Sequence, residues 1–207
     1  MKVEYAVFPT GLLESNACVV YEESKRCLII DPSQGCSELV RFVEKQSLTP
    51  VAVLLTHGHF DHITGIPEIE KKYPQLPVYI HRCDIPMLRD SNFNGSVMLG
   101  MDFKYEGPVN ELQEGVAQIG GFEFQVIHLP GHTPGGCALL FDRLCFSGDV
   151  LFAGSIGRSD FPGGNGEELI KGIKAKLLTL GDETVICPGH GGRTTVGREK
   201  KANPFLI

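Results

Sequence analysis

The chain has 207 residues, 42% of them hydrophobic, and its 19 lysines and arginines against 25 aspartates and glutamates give a formal net charge of −6. This length suits one domain, spanning residues 1–207, with a large apolar core. The acidic balance argues against nucleic acid as a partner, and no apolar run reaches the ~18 residues that indicate a membrane span.

The N-terminus and the cysteines favour a cytoplasmic protein. Residues 1–9 lack the apolar core and the cleavage pattern of a signal peptide, and they are predicted to form a strand. The seven cysteines are odd in number, form no C-x-x-C pair and lie mostly within apolar runs. Such cysteines are typical of small core residues in a reducing compartment, not of a disulfide framework.

The first half of the chain is predicted to alternate strands with helices. In order, the predicted elements are a hairpin of strands 17–22 and 27–31, a helix near 37–47 with Ser37 as its N-cap, a strand at 51–55, a short helix near 64–72 and a strand at 77–81. Asp31 follows a strand directly, and it is interpreted either as a turn cap or as a hydrogen-bond partner of a metal ligand.

Four candidate metal ligands directly follow the apolar strand 51–55: His57, His59, Asp61 and His62. Residues two apart on an extended chain share a face, so His57 and His59 can hold one ion. Asp61 and His62 come where the chain must leave the strand, and they more naturally serve a second ion. Four ligand-type side chains in six positions favour a metal site over unrelated hydrogen-bonded histidines.

The second half begins with a polar excursion, residues 90–115, which is predicted to flank the active site. The elements that follow are a hairpin of 116–119 and 122–129 around Gly120-Gly121, strands 137–141 and 144–147, a helix near 166–179, a strand at 184–187 and a helix near 195–201. His128 has the strand parity of apolar neighbours and is predicted to face inward. His81, at a strand end, is predicted to be exposed.

Three further candidate ligands each follow an apolar strand that ends in glycine or proline: His132, Asp149 and His190. Glycine lets the backbone turn sharply and approach a ligand closely. The repeated arrangement therefore predicts loops gathered at one edge of a sheet.

This ordered set of ligands resembles the metallo-β-lactamase superfamily, an α/β fold built as a four-layer αββα sandwich. The stretches Gly148–Phe152, Gly157–Gly164 and Pro188–Glu199 resemble its glyoxalase II-like (hydroxyacylglutathione hydrolase) and persulfide dioxygenase branch. The resemblance covers essentially the whole chain. It implies that one metal is held by His57, His59 and His132, that a second is held by Asp61, His62 and His190, and that Asp149 bridges them.

The ligand types favour two divalent metal ions, zinc first, with iron or manganese as alternatives, because histidine and carboxylate select weakly among these metals. Zinc β-lactamases often use a cysteine on the second metal. Here no cysteine lies beside the ligands except Cys187. Antibiotic hydrolysis is therefore not the favoured function.

The resemblance implies a small-molecule substrate, S-lactoylglutathione or a related acyl thioester. Metal-bound hydroxide would attack the acyl carbonyl, and a thiol with a free pKa of about 8.5 can leave with little acid assistance. Asp61 is the one candidate for catalytic proton transfer. The chain ends soon after His190, where full-length relatives carry a helical domain that contacts glutathione, so Arg158 and Arg193 are the candidate substrate-binding cations.

Two alternatives stay open at this point. A mononuclear-iron persulfide dioxygenase would share His57, His132 and Asp149, and a metal-binding scaffold would retain the ligands as a vestigial site. The pair Arg158 and Asp160 is interpreted either as a loop salt bridge or as support for the metal ligands.

Overall fold

The computed structural model describes residues 2–207, which form two six-stranded sheets packed face to face with helices on both outer faces. The first sheet has the spatial order β1 (Glu4–Thr10), β2 (Ser15–Tyr21), β3 (Arg26–Ile30), β4 (Thr49–Leu54), β5 (Val78–His81) and β6 (Asn110–Leu112). The second has the order β14 (Thr194–Thr195), β13 (Val185–Pro188), β10 (Leu144–Gly148), β9 (Cys137–Phe141), β8 (Phe122–His128) and β7 (Gly115–Ile119). A separate ribbon pairs β11 (Leu151–Phe152) with β12 (Ser155–Ile156).

The helices are short and belong to two groups. The first half contributes α1 (Ser37–Lys45), α2 (Phe60–Ile63), α3 (Ile66–Lys72) and α4 (Ile85–Arg89). The second half contributes α5 (Gly166–Gly172), which continues as a π-helical segment Ile173–Leu177, and α6 (Val196–Ala202). Within residues 2–207, no helix combines the length and the apolar character needed to cross a membrane.

The core consists of three apolar layers, as the predicted αββα sandwich requires. Strand alternation divides β3 between two of them: Cys27 and Ile29 face the helices of the first half, whereas Leu28 and Ile30 face the second sheet. The third layer lies between the second sheet and α5, where Leu169 is fully buried. The predicted four-layer fold is confirmed.

Parallel strand pairs place the candidate ligands at one edge of the sandwich. β3 pairs in parallel with β4, and β10 pairs in parallel with β13. The carboxyl ends of parallel strands meet at the same edge, so the loops after these four strands converge there. β2 runs antiparallel to β3, and its first residues therefore reach the same edge.

Several local predictions need correction. The residue that precedes α1 is Cys36, and no side chain caps that helix, so the assignment of Ser37 as N-cap is wrong. The helix predicted at 64–72 is preceded by the separate turn α2. The excursion 90–115 contains a 3₁₀ turn, Ser96–Leu99, and the edge strand β6.

His81 is buried, not exposed, because β5 is covered by β6, whose Leu112 pairs with it. Its ring stacks on His128 with centroids 4.0 Å apart. His128 is half-buried, and its Nε2 donates a hydrogen bond to the Pro134 carbonyl at 3.0 Å. Because a carbonyl oxygen only accepts, His128 Nε2 carries the proton.

Candidate metal centre

The first group of candidate ligands consists of His57, His59 and His132. Each offers a ring nitrogen, and these three atoms lie within 4.8 Å of one another. His59 Nδ1 and His132 Nε2 face each other at 2.9 Å. All three side chains are buried. We call this set the first triad.

The second group consists of Asp61, His62 and His190, again with ligand atoms within 4.8 Å of one another. His190 Nε2 lies 3.1 Å from Asp61 Oδ2, and His62 Nε2 lies 3.6 Å from the same oxygen. Asp61 and His62 are on α2, which directs both inward from consecutive positions. We call this set the second triad.

Asp149 lies between the two triads. Its Oδ2 is 3.6 Å from His132 Nε2 in the first triad and 3.6 Å from His190 Nε2 in the second. Its Oδ1 is 3.4 Å from His62 Nε2. The structure therefore brings all seven sequence-predicted ligands into one cluster, with Asp149 in the position of a shared ligand.

Three of the histidines present Nε2 to this cluster because their Nδ1 atoms are engaged elsewhere. His62 Nδ1 contacts Asp31 Oδ2 at 3.1 Å, His132 Nδ1 the Arg158 carbonyl at 2.6 Å, and His190 Nδ1 the Leu13 carbonyl at 3.0 Å. Because these acceptors engage Nδ1, Nε2 is the nitrogen that remains to bind a metal.

Asp31 supports both triads at once. Its carboxylate accepts from the Thr56 amide at 2.7 Å and from the Thr56 hydroxyl at 2.6 Å. That hydroxyl in turn lies 3.1 Å from His57 Nδ1, so it accepts the proton of His57. One carboxylate thus orients His62 directly and His57 through Thr56. Of the two interpretations of Asp31, the structure favours the partner of metal ligands.

The electrostatics differ between the triads. Burial, followed by the neighbouring imidazoles, holds the pKa of His57 well below its usual value and lowers the pKa of His59 to about 3. Burial also lowers the pKa of His62, but the carboxylates of Asp61 and Asp149 outweigh it and raise that pKa well above the usual value. His57 and His59 thus offer neutral imidazoles, which is the form that binds metals.

A separate observation, the buried polar atoms without partners, also indicates that the cluster binds divalent metal ions. Among the described residues, three of the few buried polar atoms without a hydrogen bond are His57 Nε2, His62 Nε2 and Asp149 Oδ1. A buried polar atom without a partner costs about 1–3 kcal/mol, so three of them converging on one place indicate a missing ligand. Nitrogen and carboxylate oxygen at this spacing suit zinc, iron or manganese.

The tip of the β1–β2 hairpin supports the second triad, a role that sequence reasoning missed. Ser15 Oγ donates to Asp61 Oδ2 at 2.9 Å, and Asn16 Nδ2 donates to the carbonyls of Pro188 and Gly191, both at 2.9 Å. The polar pair Ser-Asn at the start of an otherwise apolar strand was the available signal.

Glycine is required where the chain enters the second triad. A Cβ on Gly189 would collide with the Asp149 carboxylate and would stand 2.7 Å from His62 Cε1. Real Cβ contacts are not that short, so any larger residue displaces a ligand. The Pro-Gly-His order at positions 188–190 follows from this close approach.

Asp84 joins the loops that carry the first triad, and it was also missed. Its carboxylate accepts from the Gly58 amide at 3.0 Å, the Thr133 hydroxyl at 2.7 Å and the Gly135 amide at 2.5 Å. Asp84 is fully buried, and burial raises its pKa despite these donors. Its signal resembles that of Asp31, an aspartate shortly after an apolar parallel strand.

We expect Asp84→Ala to lower the free energy of unfolding by about 3 kcal/mol, because three buried donors lose their acceptor. For a domain of this size, the Tm should fall by about 6–12 °C. Calorimetry of the metal-free protein measures the change. Glu23→Ala, in the exposed turn between β2 and β3, is the control, and a change in Tm no larger than that of the control would show that Asp84 does not join these loops.

A cleft of about 760 Å³ opens over the cluster. It is lined by candidate ligands from both triads, His59, Asp61, His132 and His190, and by Asp149. The two triads are therefore accessible to a small molecule on one side, as catalysis requires.

The two candidate substrate-binding arginines behave differently. Arg158 lines the cleft, but its Nε and Nη2 donate to the Asp160 carboxylate, at 2.9 and 2.7 Å, in an exposed pair. Arg193 donates to the Tyr5 hydroxyl at 3.0 Å and does not line the cleft. The Arg158–Asp160 pair is thus a loop salt bridge, and only the backbone carbonyl of Arg158 supports a ligand.

Comparison with known sequences and structures agrees with this geometry. The sequence model of the family described as "Metallo-beta-lactamase superfamily" matches residues 11–190. The chain is 40% identical over 203 residues to "Probable metallo-hydrolase YqgX" of Bacillus subtilis, covering 96% of this chain and 95% of that protein. It is 34% identical over 217 residues to "Hydroxyacylglutathione hydrolase GloC" of Haemophilus influenzae, covering 97% and 96%.

Two solved structures match over nearly their full length. The crystal structure of BLEG-1 B3 metallo-beta-lactamase superposes with a TM-score of 0.93 at 38% identity, covering 98% of this chain and 99% of that one. The crystal structure of TTHA1623 in a di-iron-bound form superposes with a TM-score of 0.86 at 38% identity, covering 97% and 100%.

Proposed function

The chain belongs to the metallo-β-lactamase superfamily, and from that membership and the site geometry we propose that it is a metal-dependent hydrolase of acyl thioesters, of the S-lactoylglutathione type or related. The observation that carries the proposal is a cleft floored by two triads that share Asp149. The similarity to a hydroxyacylglutathione hydrolase from Haemophilus influenzae supports the same substrate class.

The proposed cofactors are two divalent ions, one held by each triad, with Asp149 as the ligand common to both. Zinc is our first proposal, and a similar protein that binds two irons makes iron the main alternative. When bound, such ions supply hydroxide at neutral pH and an electrophile for the carbonyl oxygen. We propose a cytoplasmic location, because the seven cysteines are odd in number, lie mostly within apolar runs and form no C-x-x-C pair.

The residues of this chain orient the reaction. Asp61, fixed by Ser15 and by His190, is the side chain we propose to accept a proton from the attacking water at Oδ2. Burial works against its ionisation, but the charge of His62 and the bonds from His190 and Ser15 outweigh it and hold the pKa below the usual range. Asp31 and the carbonyls of Leu13 and Arg158 keep the imidazoles turned towards the centre.

The cleft favours a thioester over an amide for a simple reason. Among the described residues that line it, there is no lysine or tyrosine to protonate a departing amine. A thiol, with a free pKa of about 8.5, can depart as the thiolate. Of the two, a thioester is therefore the substrate whose leaving group needs the least help from a proton donor in this site.

β-Lactam hydrolysis is the second candidate, because a protein described as a B3 metallo-beta-lactamase is 38% identical to this chain and has nearly the same fold. The lack of a cysteine ligand led us to expect that antibiotic hydrolysis is not the favoured function, and this similarity weighs against that expectation. The two remaining alternatives make distinct predictions. A persulfide dioxygenase would consume oxygen, whereas a vestigial scaffold would turn over none of these substrates.

The test uses one preparation with its metal content quantified. Thiol release from S-lactoylglutathione and from a simple acyl thioester, oxygen uptake with glutathione persulfide, and cleavage of a chromogenic cephalosporin are measured side by side, with His57→Ala as the inactive control. We expect thioester hydrolysis to exceed the other activities by at least about 100-fold. Inactivity on both thioesters, with two ions bound, would refute the proposal.

We predict that neither arginine contributes strongly to substrate affinity. Exposed charge pairs contribute about 0.2–1 kcal/mol, so Arg158→Ala should raise KM for S-lactoylglutathione by at most about fivefold and leave kcat unchanged. Arg193→Ala should change neither constant. Steady-state kinetics check this, and a 30-fold rise in KM for either variant would show that a free guanidinium holds the substrate.

A further inference from the structure

The cleft over the metal centre has an apolar wall that the chemistry of the site does not explain. Six side chains form it: Leu13, Phe93, Met98, Leu99, Phe152 and Phe161. Three of them are substantially exposed, with fractions of 47% for Leu13, 61% for Met98 and 45% for Leu99. Exposed apolar side chains gathered at the mouth of a cleft indicate a surface that a ligand covers.

This wall is fixed relative to the triads. Its central part is the 3₁₀ turn Ser96–Leu99, bounded by Gly95 and Gly100, which both have positive φ. The Phe60 amide donates to the Asn94 carbonyl at 3.0 Å, and Asn94 directly precedes Gly95. Because Phe60 immediately precedes Asp61, the apolar turn is tied to the segment that carries the second triad.

The same cleft offers little to a charged ligand. Among the described residues that line it, Arg158 is the one lysine or arginine, and Asp160 already neutralises it. Away from the metal centre, a carboxylate moved against this lining would lose its water without gaining a cation. Glutathione carries two carboxylates, so its peptide part is poorly matched to this surface.

We propose that the preferred substrates are thioesters whose acyl group is an uncharged apolar chain, which lies along the wall formed by Leu13, Phe93, Met98, Leu99, Phe152 and Phe161. The inference rests on the proposed thioesterase activity and narrows its substrate class. S-Lactoylglutathione, with a short hydroxylated acyl group and a charged thiol, is on this basis a weaker substrate.

The test is a series of N-acetylcysteamine thioesters with acetyl, butanoyl, hexanoyl and octanoyl groups, assayed on metal-loaded protein. A fully buried methylene is worth about a fourfold gain, so at half burial kcat/KM should rise about 15-fold from acetyl to hexanoyl. Hexanoyl should also exceed S-lactoylglutathione. A flat series, or a preference for S-lactoylglutathione, would overturn the inference.

A variant tests whether the rise of kcat/KM with acyl-chain length depends on the apolar wall. The double substitution Met98→Gln and Leu99→Gln should reduce the hexanoyl-to-acetyl ratio of kcat/KM from about 15 to about 3. The matched control is Val116→Gln, on β7 with 74% of its surface exposed and away from the cleft, which should leave the ratio unchanged. An unchanged ratio in the double variant would show that the chain lies elsewhere.

A binding measurement separates this inference from the proposed function. Methylene-ketone analogues of the acetyl and hexanoyl thioesters cannot be hydrolysed, and their affinities are measured by calorimetry. Tighter binding of the hexanoyl analogue without turnover of any thioester would refute the thioesterase and support the apolar wall. Turnover of every thioester, with equal binding of both analogues, would support the thioesterase and refute the wall.

Discussion

Replacing Asp149 with alanine is expected to deplete both metal sites together and to lower kcat/KM by about 10³-fold or more. Asp149 lies within 3.6 Å of ligand atoms in both triads, so its loss removes one ligand from each proposed ion. It also leaves two cations close together without the anion between them. A loss of several kcal/mol of transition-state stabilisation corresponds to this change in rate.

Metal analysis of the dialysed variant measures the effect, alongside thioester kinetics. Asp160→Ala is the matched control for metal content, since it removes an exposed carboxylate from a loop next to the cleft that is not among the candidate ligands. If the Asp149 variant keeps two ions per chain at wild-type occupancy, its assignment as the shared ligand is wrong.

Asp31→Ala is expected to weaken metal binding at both triads by about 100-fold, although Asp31 belongs to neither triad. Loss of a residue that orients a metal-binding histidine typically costs 10–100-fold in metal affinity or activity. Asp31 orients two such histidines, His62 directly and His57 through Thr56. Titration against a competing chelator measures the two affinities.

Two further variants separate the carboxylate from the backbone. Asp31 has a φ of +49°, which aspartate and asparagine tolerate better than alanine. Asp31→Asn therefore removes the carboxylate with little backbone strain, and it should lower the metal affinity by about tenfold. Asp142 has a φ of +52° in the exposed turn between β9 and β10, and Asp142→Ala reproduces the strain far from the centre. A loss of affinity in Asp142→Ala equal to that in Asp31→Ala would attribute the effect to folding alone.

Much of the candidate site could be predicted because its seven ligands follow apolar strands in short, distinctive motifs. Strand order then gathers the loops, since β4, β10 and β13 all end at one edge of the sandwich. The confirmed αββα fold rests on the same alternation of apolar strands and helices.

The supporting contacts could not be predicted in the same way. The carbonyls of Leu13 and Arg158 orient His190 and His132, and a backbone carbonyl carries no sequence signature. The position of Arg193 depends on its contact with Tyr5, which is distant in the chain. Such contacts are set by packing between segments, not by local pattern.

The division between α2 and α3 did have a local signal. Pro67 lies in the first turn of α3, where a proline is tolerated, and Gly65 stands just before that helix. A proline there favours a new helix start over a continuous helix. The separate turn α2, which carries Asp61 and His62, is held by the hydrogen bond from the Phe60 amide to the Asn94 carbonyl.

Anomalous X-ray diffraction from crystals of the metal-loaded protein tests most directly whether the triads form a two-metal centre. We expect two anomalous peaks roughly 3.5–4 Å apart, one bound by His57, His59 and His132, the other by Asp61, His62 and His190, with Asp149 contacting both. A single peak in fully loaded crystals, with Asp61 or His190 turned away from it, would contradict the two-metal centre.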